Sequence, residues 1–158
     1  MLLQGTFESM NVLILLKQIS SLLEGETDQT ANLANASAFI MDNFQNLNWA
    51  GFYLLKNQEL VLGPFQGKPA CNRIQIGAGV CGTAFLRKQT INVPDVHQFE
   101  GHIACDNASN SELVIPLYNK NNHLIGVLDL DSPLLNRFSA EDKQVLEEIA
   151  KIIADNIL

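Results

Sequence analysis

Cys71, Cys81 and Cys105 are spaced C-x9-C and C-x23-C. Each falls in or beside a turn, or in the long segment 94–111, and none falls mid-strand. One such cysteine alone would ordinarily be a small buried apolar residue. Three at the edges of one pocket point instead to sulfur chemistry. With His97 and His102 as extra ligands, zinc is the first alternative. The spacing lacks the close Cys pairing of structural zinc sites, so no metal is expected. A thiol–disulfide site needs only that the fold bring sulfurs together. Cys81 falls near the start of a predicted helix over 79–89, where unpaired N–H groups would lower its pKa. Cys105 has His102 to stabilise a thiolate, with Asp106 opposing. Residue types alone leave both as candidate nucleophiles.

Three carboxylates form the second constellation. Asp129 and Asp131 alternate in VLDLDS, which puts them on one face of a strand, and Glu112 opens a neighbouring strand. The ordinary place for such residues is the solvent side of an antiparallel sheet. Beneath the 94–111 loop they would instead share a site with Cys105. Crowded acids raise one another's pKa, leaving one protonated as a proton donor, and together they can hold an ammonium group. Trp49 and Tyr53, on the first strand, could supply aromatic walls, although core packing is the commoner role. The glycine-rich GPFQG and GAGVCG match neither a Walker nor a dinucleotide pattern and are set aside.

The chain that positions these residues has 158 residues, a length suited to one domain, expected over 1–158. Its apolar fraction is 47% and its formal net charge −7. With no Lys/Arg cluster, nucleic acid and anionic membranes are unexpected partners. The N-terminus has no basic leader and no unbroken apolar run, so an amphipathic helix in the cytoplasm is expected. An odd cysteine count in such a chain argues for free thiols over a disulfide framework.

Helical spacing runs from Met10 to Leu23, with Gly25 as a stop. Asp28 then caps a second helix presenting Leu33, Ala36, Phe39, Ile40 and Phe44. Strands are expected at 48–56, 59–65, 72–77 and 90–93, and two more within 112–132 about a turn at 119–122. Ser139 opens a last helix with Val145, Ile149, Ile152 and Ile153 on one face. The fold class is α+β: a mostly antiparallel sheet with the N- and C-terminal helices on one side and a loop-covered pocket on the other.

The stretches NWAGFYLL (48–55), GPFQGKPACNRI (63–74), GVCGTA (79–84), VPDVHQFEGHIACDNASNSELVIPL (93–117) and GVLDLDSP (126–133) together resemble the free methionine-(R)-sulfoxide reductases. These are single GAF domains, and the resemblance spans essentially the whole chain. Glu100 departs from it, standing where proline is expected before Gly-His-Ile-Ala-Cys.

The resemblance implies thiol-dependent reduction of free L-methionine-(R)-sulfoxide to methionine, with no cofactor. It makes Cys105 the nucleophile that becomes a sulfenic acid, Cys71 the first candidate to resolve it as an intramolecular disulfide, and Cys81 the alternative. Thioredoxin would recycle the enzyme. Glu112, Asp129 and Asp131 would bind the sulfoxide and the amino group, and Trp49 and Tyr53 would pack on the S-methyl end. The role of His102 stays open. Other GAF domains suggest a homodimer through the first and last helices. Two readings compete: a sensory GAF module for a small ligand, and a thiol switch without turnover. Neither would need the three carboxylates.

Overall fold

Capping chemistry sets the helix boundaries. The structure, a computed structural model, describes residues 2–103 and 108–157, with the side chains of the first helix described from Met10. Helix α1 spans Leu2–Leu23 and α2 spans Gln29–Asn43. The Asp28 carboxylate accepts from the Ala31 amide at 2.8 Å, satisfying one of the orphan N–H groups of α2. Helix α4, Ala140–Asp155, opens with a full capping box between Ser139 and Asp142. Arg137 secures the same Asp142 carboxylate at 2.8 Å.

Between α2 and α4 lie β1 (Trp49–Lys56), β2 (Glu59–Gly67), β3 (Arg73–Ile74), α3 (Gly79–Arg87), β4 (Ile91–Val93), β5 (Ser111–Tyr118) and β6 (Leu124–Ser132). They form one six-stranded sheet in the order β3-β2-β1-β6-β5-β4. Every adjacent pair is antiparallel.

Strand alternation divides the apolar residues into two cores. Ala50, Phe52, Leu113, Ile115, Leu128 and Leu130 face α1, α2 and α4. Trp49, Tyr53, Val114 and Val127 face α3. The expected α+β layering is present, with the terminal helices on one side and α3 over the other. Helix α1 buries Ile19 and Leu23, while Met10, Leu13 and Ile14 are exposed. No helix among the described residues is long and apolar enough to cross a membrane.

The strand expected at 72–77 shortens to two residues. The backbone beyond Ile74 is used otherwise: the Ala78 amide donates to the Gln75 carbonyl at 3.0 Å, and the Gly77 amide to the Gly82 carbonyl at 2.9 Å. These bonds turn the chain directly into α3. A Cβ on Gly82 would lie 2.4 Å from the Gln75 carbonyl oxygen, so the close approach requires glycine. Helix α3 ends two residues earlier than expected, with Lys88 in the left-handed region at φ 56°. The 94–111 segment carries a 3-10 turn at Val96–Gln98, capped by Asp95.

Candidate active site

Ladder register brings the distant acids together. One row across the sheet reads Gly67, Trp49, Asp131, Glu112, Val93, and the next on the same face reads Phe65, Gly51, Asp129, Val114, Ile91. Glu112 therefore stands directly opposite Asp131, with Asp129 one step along β6. Helix α3 covers these rows and lowers Cys81 onto them, its Sγ 4.0 Å from Glu112 Oε1. From the 94–111 segment, His102 brings Nε2 to 3.7 Å from Glu112 Oε2.

The acids are not on a solvent face. Glu112 and Asp129 are each 6% exposed. Beside them, among the residues described, is a cavity of about 40 Å³ lined by Cys81, His102, Glu112, Asp129 and Asp131 together with Trp49 and Tyr53. Such a space holds an ion or a few waters. A molecule the size of an amino acid requires it to widen.

Burial governs the electrostatics. It raises the Glu112 pKa well above the carboxylate range, and the neighbouring charges of Asp129 and Asp131 raise it further. Burial also raises Asp129, opposed by hydrogen bonds from Glu112 and Cys81. Glu112 is thus the protonated partner, while Asp129 keeps the charge more readily. Asp129 Oδ1 is fully buried and has no hydrogen-bond partner among the described residues. A buried acceptor left this way is costly unless a donor or cation reaches it.

Cys81 overturns one expectation. It does sit in the first turn of α3, but burial and then the charges of Asp129 and Glu112 push its thiol well above the ordinary range. Desolvation among carboxylates outweighs the helix terminus, so Cys81 is a neutral thiol and a poor nucleophile. Burial, then the charge of His97, holds His102 below the usual imidazole value, leaving it neutral near pH 7.

The aromatic residues do more than form a wall. Trp49 stacks on Phe65 at 5.1 Å and on Tyr53 at 6.0 Å between ring centroids. Its indole N–H donates to the Lys68 carbonyl at 3.2 Å, and the Tyr53 hydroxyl donates to the Cys71 carbonyl at 2.8 Å. Both bonds hold the turn carrying Cys71, a role the sequence reading missed. Its signal was the GKPAC stretch, which cannot pair as a strand and leaves carbonyls in need of donors. Asn48 Nδ2 likewise holds Ser109 Oγ at 3.1 Å, fixing one end of the long loop.

Cys71 is disulfide-bonded and Cys81 is a free thiol. Cys105, the expected nucleophile, lies outside the described residues, as does Asp106. Glu112, Asp129, Asp131, Cys81, Trp49 and Tyr53 are gathered at one cavity, and Cys71 is tied to it through Tyr53.

Known proteins share this arrangement of elements. A GAF domain profile matches residues 30–157. The chain is 55% identical over 133 residues to the free methionine-R-sulfoxide reductase of Escherichia coli, covering 84% of this chain and 80% of that one. It superposes on the fRMsr of Staphylococcus aureus in complex with substrate with a TM-score of 0.87, at 51% identity, over 94% of this chain and 96% of that one. A third match is the free methionine-R-sulfoxide reductase of Neisseria meningitidis in complex with its substrate. There the TM-score is 0.85 at 46% identity, over 90% of this chain and 85% of the other. The chain belongs to the GAF-domain family of free methionine-R-sulfoxide reductases.

Proposed function

We propose that residues 1–158 act as a single GAF domain that reduces free L-methionine-(R)-sulfoxide to L-methionine by thiol chemistry. One observation carries the mechanism: a buried, protonated Glu112 beside a buried Asp129 whose Oδ1 has no partner among the described residues, at a cavity lined by His102 and Ile103 from the start of the HIACD segment and by Ser109 beyond it. The substrate's ammonium is the cation such acids suit. Asp129 and Asp131 hold it, and Glu112 faces the sulfoxide oxygen as acid.

The Cys105 thiolate attacks the sulfoxide sulfur as Glu112 protonates its oxygen; the hydroxyl then passes to the Cys105 sulfur as the new S–S bond breaks, so methionine leaves and Cys105 remains as a sulfenic acid. The Cys71 thiolate then attacks the sulfenic sulfur, closing a disulfide and expelling water. A dithiol such as thioredoxin takes that disulfide and returns both thiols. The disulfide state of Cys71 and the neutral, free state of Cys81 support Cys71 as resolving residue. Need for a reducing dithiol favours a cytoplasmic location.

Substrate selection follows from burial. A peptide-bound residue lacks the ammonium end and cannot bury its chain here. The wall of Trp49 and Tyr53 would take the S-methyl group and discriminate between epimers. Met10, Leu13 and Ile14 expose an apolar stripe of α1 that a second copy would cover. Leu13→Glu should turn a dimer into a monomer in sedimentation.

Thioredoxin-coupled NADPH oxidation tests the activity, with free R-sulfoxide, free S-sulfoxide and a peptide-bound sulfoxide offered in turn. Turnover with the free R form alone is expected. No turnover with any of the three, with dithiothreitol also failing as reductant, would leave a ligand-binding sensory domain as the better reading.

A further inference from the structure

Sequence spacing argues against a structural zinc site, yet the fold assembles a metal-ligating set that no spacing rule could reveal. Ligand atoms of Cys81, Glu112 and Asp129 all lie within 4.8 Å of one another, and all three residues are buried. They come from α3, β5 and β6, so 31 residues separate Cys81 from Glu112. His102 stands outside that set, facing Glu112 Oε2 at 3.7 Å where Cys81 faces Oε1.

The distances nearly suit a tetrahedral ion. Zinc bonds of about 2.3 Å to sulfur and about 2.0 Å to oxygen imply an edge of about 3.5 Å for S···O. The separation of Cys81 Sγ from Glu112 Oε1 here is 4.0 Å. Contraction by roughly half an ångström, within reach of side-chain rotation, completes two corners. Asp129 supplies the third, with Oδ1 the buried oxygen that has no hydrogen-bond partner among the described residues, and a water completes the fourth. No lysine or arginine is found among the described residues lining the cavity, so nothing there supplies a fixed competing positive charge. Its volume of about 40 Å³ admits an ion where it does not admit an amino acid.

We propose that Cys81, Glu112 and Asp129 form a binding site for one divalent cation of the zinc class, which excludes the organic substrate while it is bound. A thiolate donor selects zinc over magnesium or calcium, which take oxygen ligands alone. Binding forms a metal–sulfur bond and releases the Cys81 thiol proton to solvent, with no change of oxidation state. Competition with methionine sulfoxide rests on the reductase reading, whereas metal binding does not.

The test uses the full chain with Cys71 in its disulfide, so that Cys81 is the thiol available to metal. Zinc chloride is titrated calorimetrically, and cobalt(II) is added in parallel as a spectroscopic probe. One equivalent is expected, with a sulfur-to-cobalt charge-transfer band. Cys81→Ser should abolish that band. Asp129→Asn keeps the side-chain volume and should weaken zinc by more than ~100-fold, beyond the usual effect of an outer-shell change. Free methionine-R-sulfoxide should displace the metal. Absence of a saturable single equivalent, a cobalt spectrum without the sulfur band, or affinity unchanged in both variants would overturn the site. Intact zinc binding in a protein without reductase turnover would count against the reductase reading alone. Turnover indifferent to bound zinc would overturn the competition.

Discussion

The hydroxyl of Tyr53 donates a 2.8 Å hydrogen bond to the carbonyl oxygen of Cys71, coupling the aromatic wall of the cavity to the backbone that carries a redox sulfur. Tyr53 is itself buried, and burial with the charge of Asp129 raises its pKa, so the phenol remains a donor. Tyr53→Phe keeps the ring and removes the bond. Stability should fall by ~1 kcal/mol. Disulfide closure after sulfoxide reduction should slow on the order of tenfold, because the Cys71 sulfur is no longer held in position. Rapid quenching with an alkylating agent reads that step. An unchanged closure rate would show that the bond only packs the turn.

Cys71 and Cys105 separate the two halves of the cycle. With dithiothreitol withheld, Cys71→Ser should release about one methionine per chain and stop at the sulfenic acid, whereas Cys105→Ser should release none. Cys81→Ser should still close the disulfide, since its buried neutral thiol takes no part. Mass spectrometry of the quenched protein distinguishes sulfenic acid from disulfide. A disulfide formed in Cys71→Ser would transfer the resolving role to Cys81.

Glu112→Gln removes the proton donor while keeping its shape, and kcat should fall by ~10²–10⁴-fold. The same change has a stability signature. The folded pKa of Glu112 is raised above its unfolded value of about 4.3, so the folded state holds the proton more tightly. Its contribution is full below that pH and is lost as pH rises through the folded value. Asp129 is raised in the same direction, and the slope belongs to the pair. Urea midpoints of the wild type should therefore fall between acid and neutral pH. Glu112→Gln should flatten the decline, and a decline of equal steepness in the variant would remove Glu112 as its source.

Period and capping residues made most of the scaffold legible. Asp28 and Ser139 announced their helices, and strand alternation put Asp129 and Asp131 on one face. Register was not legible, because pairing Glu112 with Asp131 depends on how two strands slide past each other. The sign of the Cys81 shift was hidden for a related reason. Its helix terminus is local and visible in sequence, while the carboxylates that outweigh it come from β5 and β6. The short β3 shows the limit of pattern: NRIQIG alternates well, but Gln75 and Gly77 give their backbone groups to the turn into α3.

Gly51 sits beside Asp129 in the register and holds the aromatic wall in place by having no side chain. A Cβ there would lie 2.3 Å from Phe65 Cβ, 2.8 Å from Phe65 Cα and 2.9 Å from Trp49 Cη2. Two of those atoms cannot be relieved by a side-chain rotation, so β2 must shift or Trp49 must leave its stack. Gly51→Ala should cost at least ~2 kcal/mol through overpacking. The urea midpoint should fall with its slope unchanged, since the surface exposed on unfolding is nearly the same. Trp49 is the chain's single tryptophan, so its fluorescence reports the displaced wall directly. KM should rise more than kcat falls, because the wall binds the methyl end whereas Glu112 and the cysteines do the chemistry. A variant with wild-type stability and KM would mean that the strands separate here at little cost, and that the stack does not set substrate affinity.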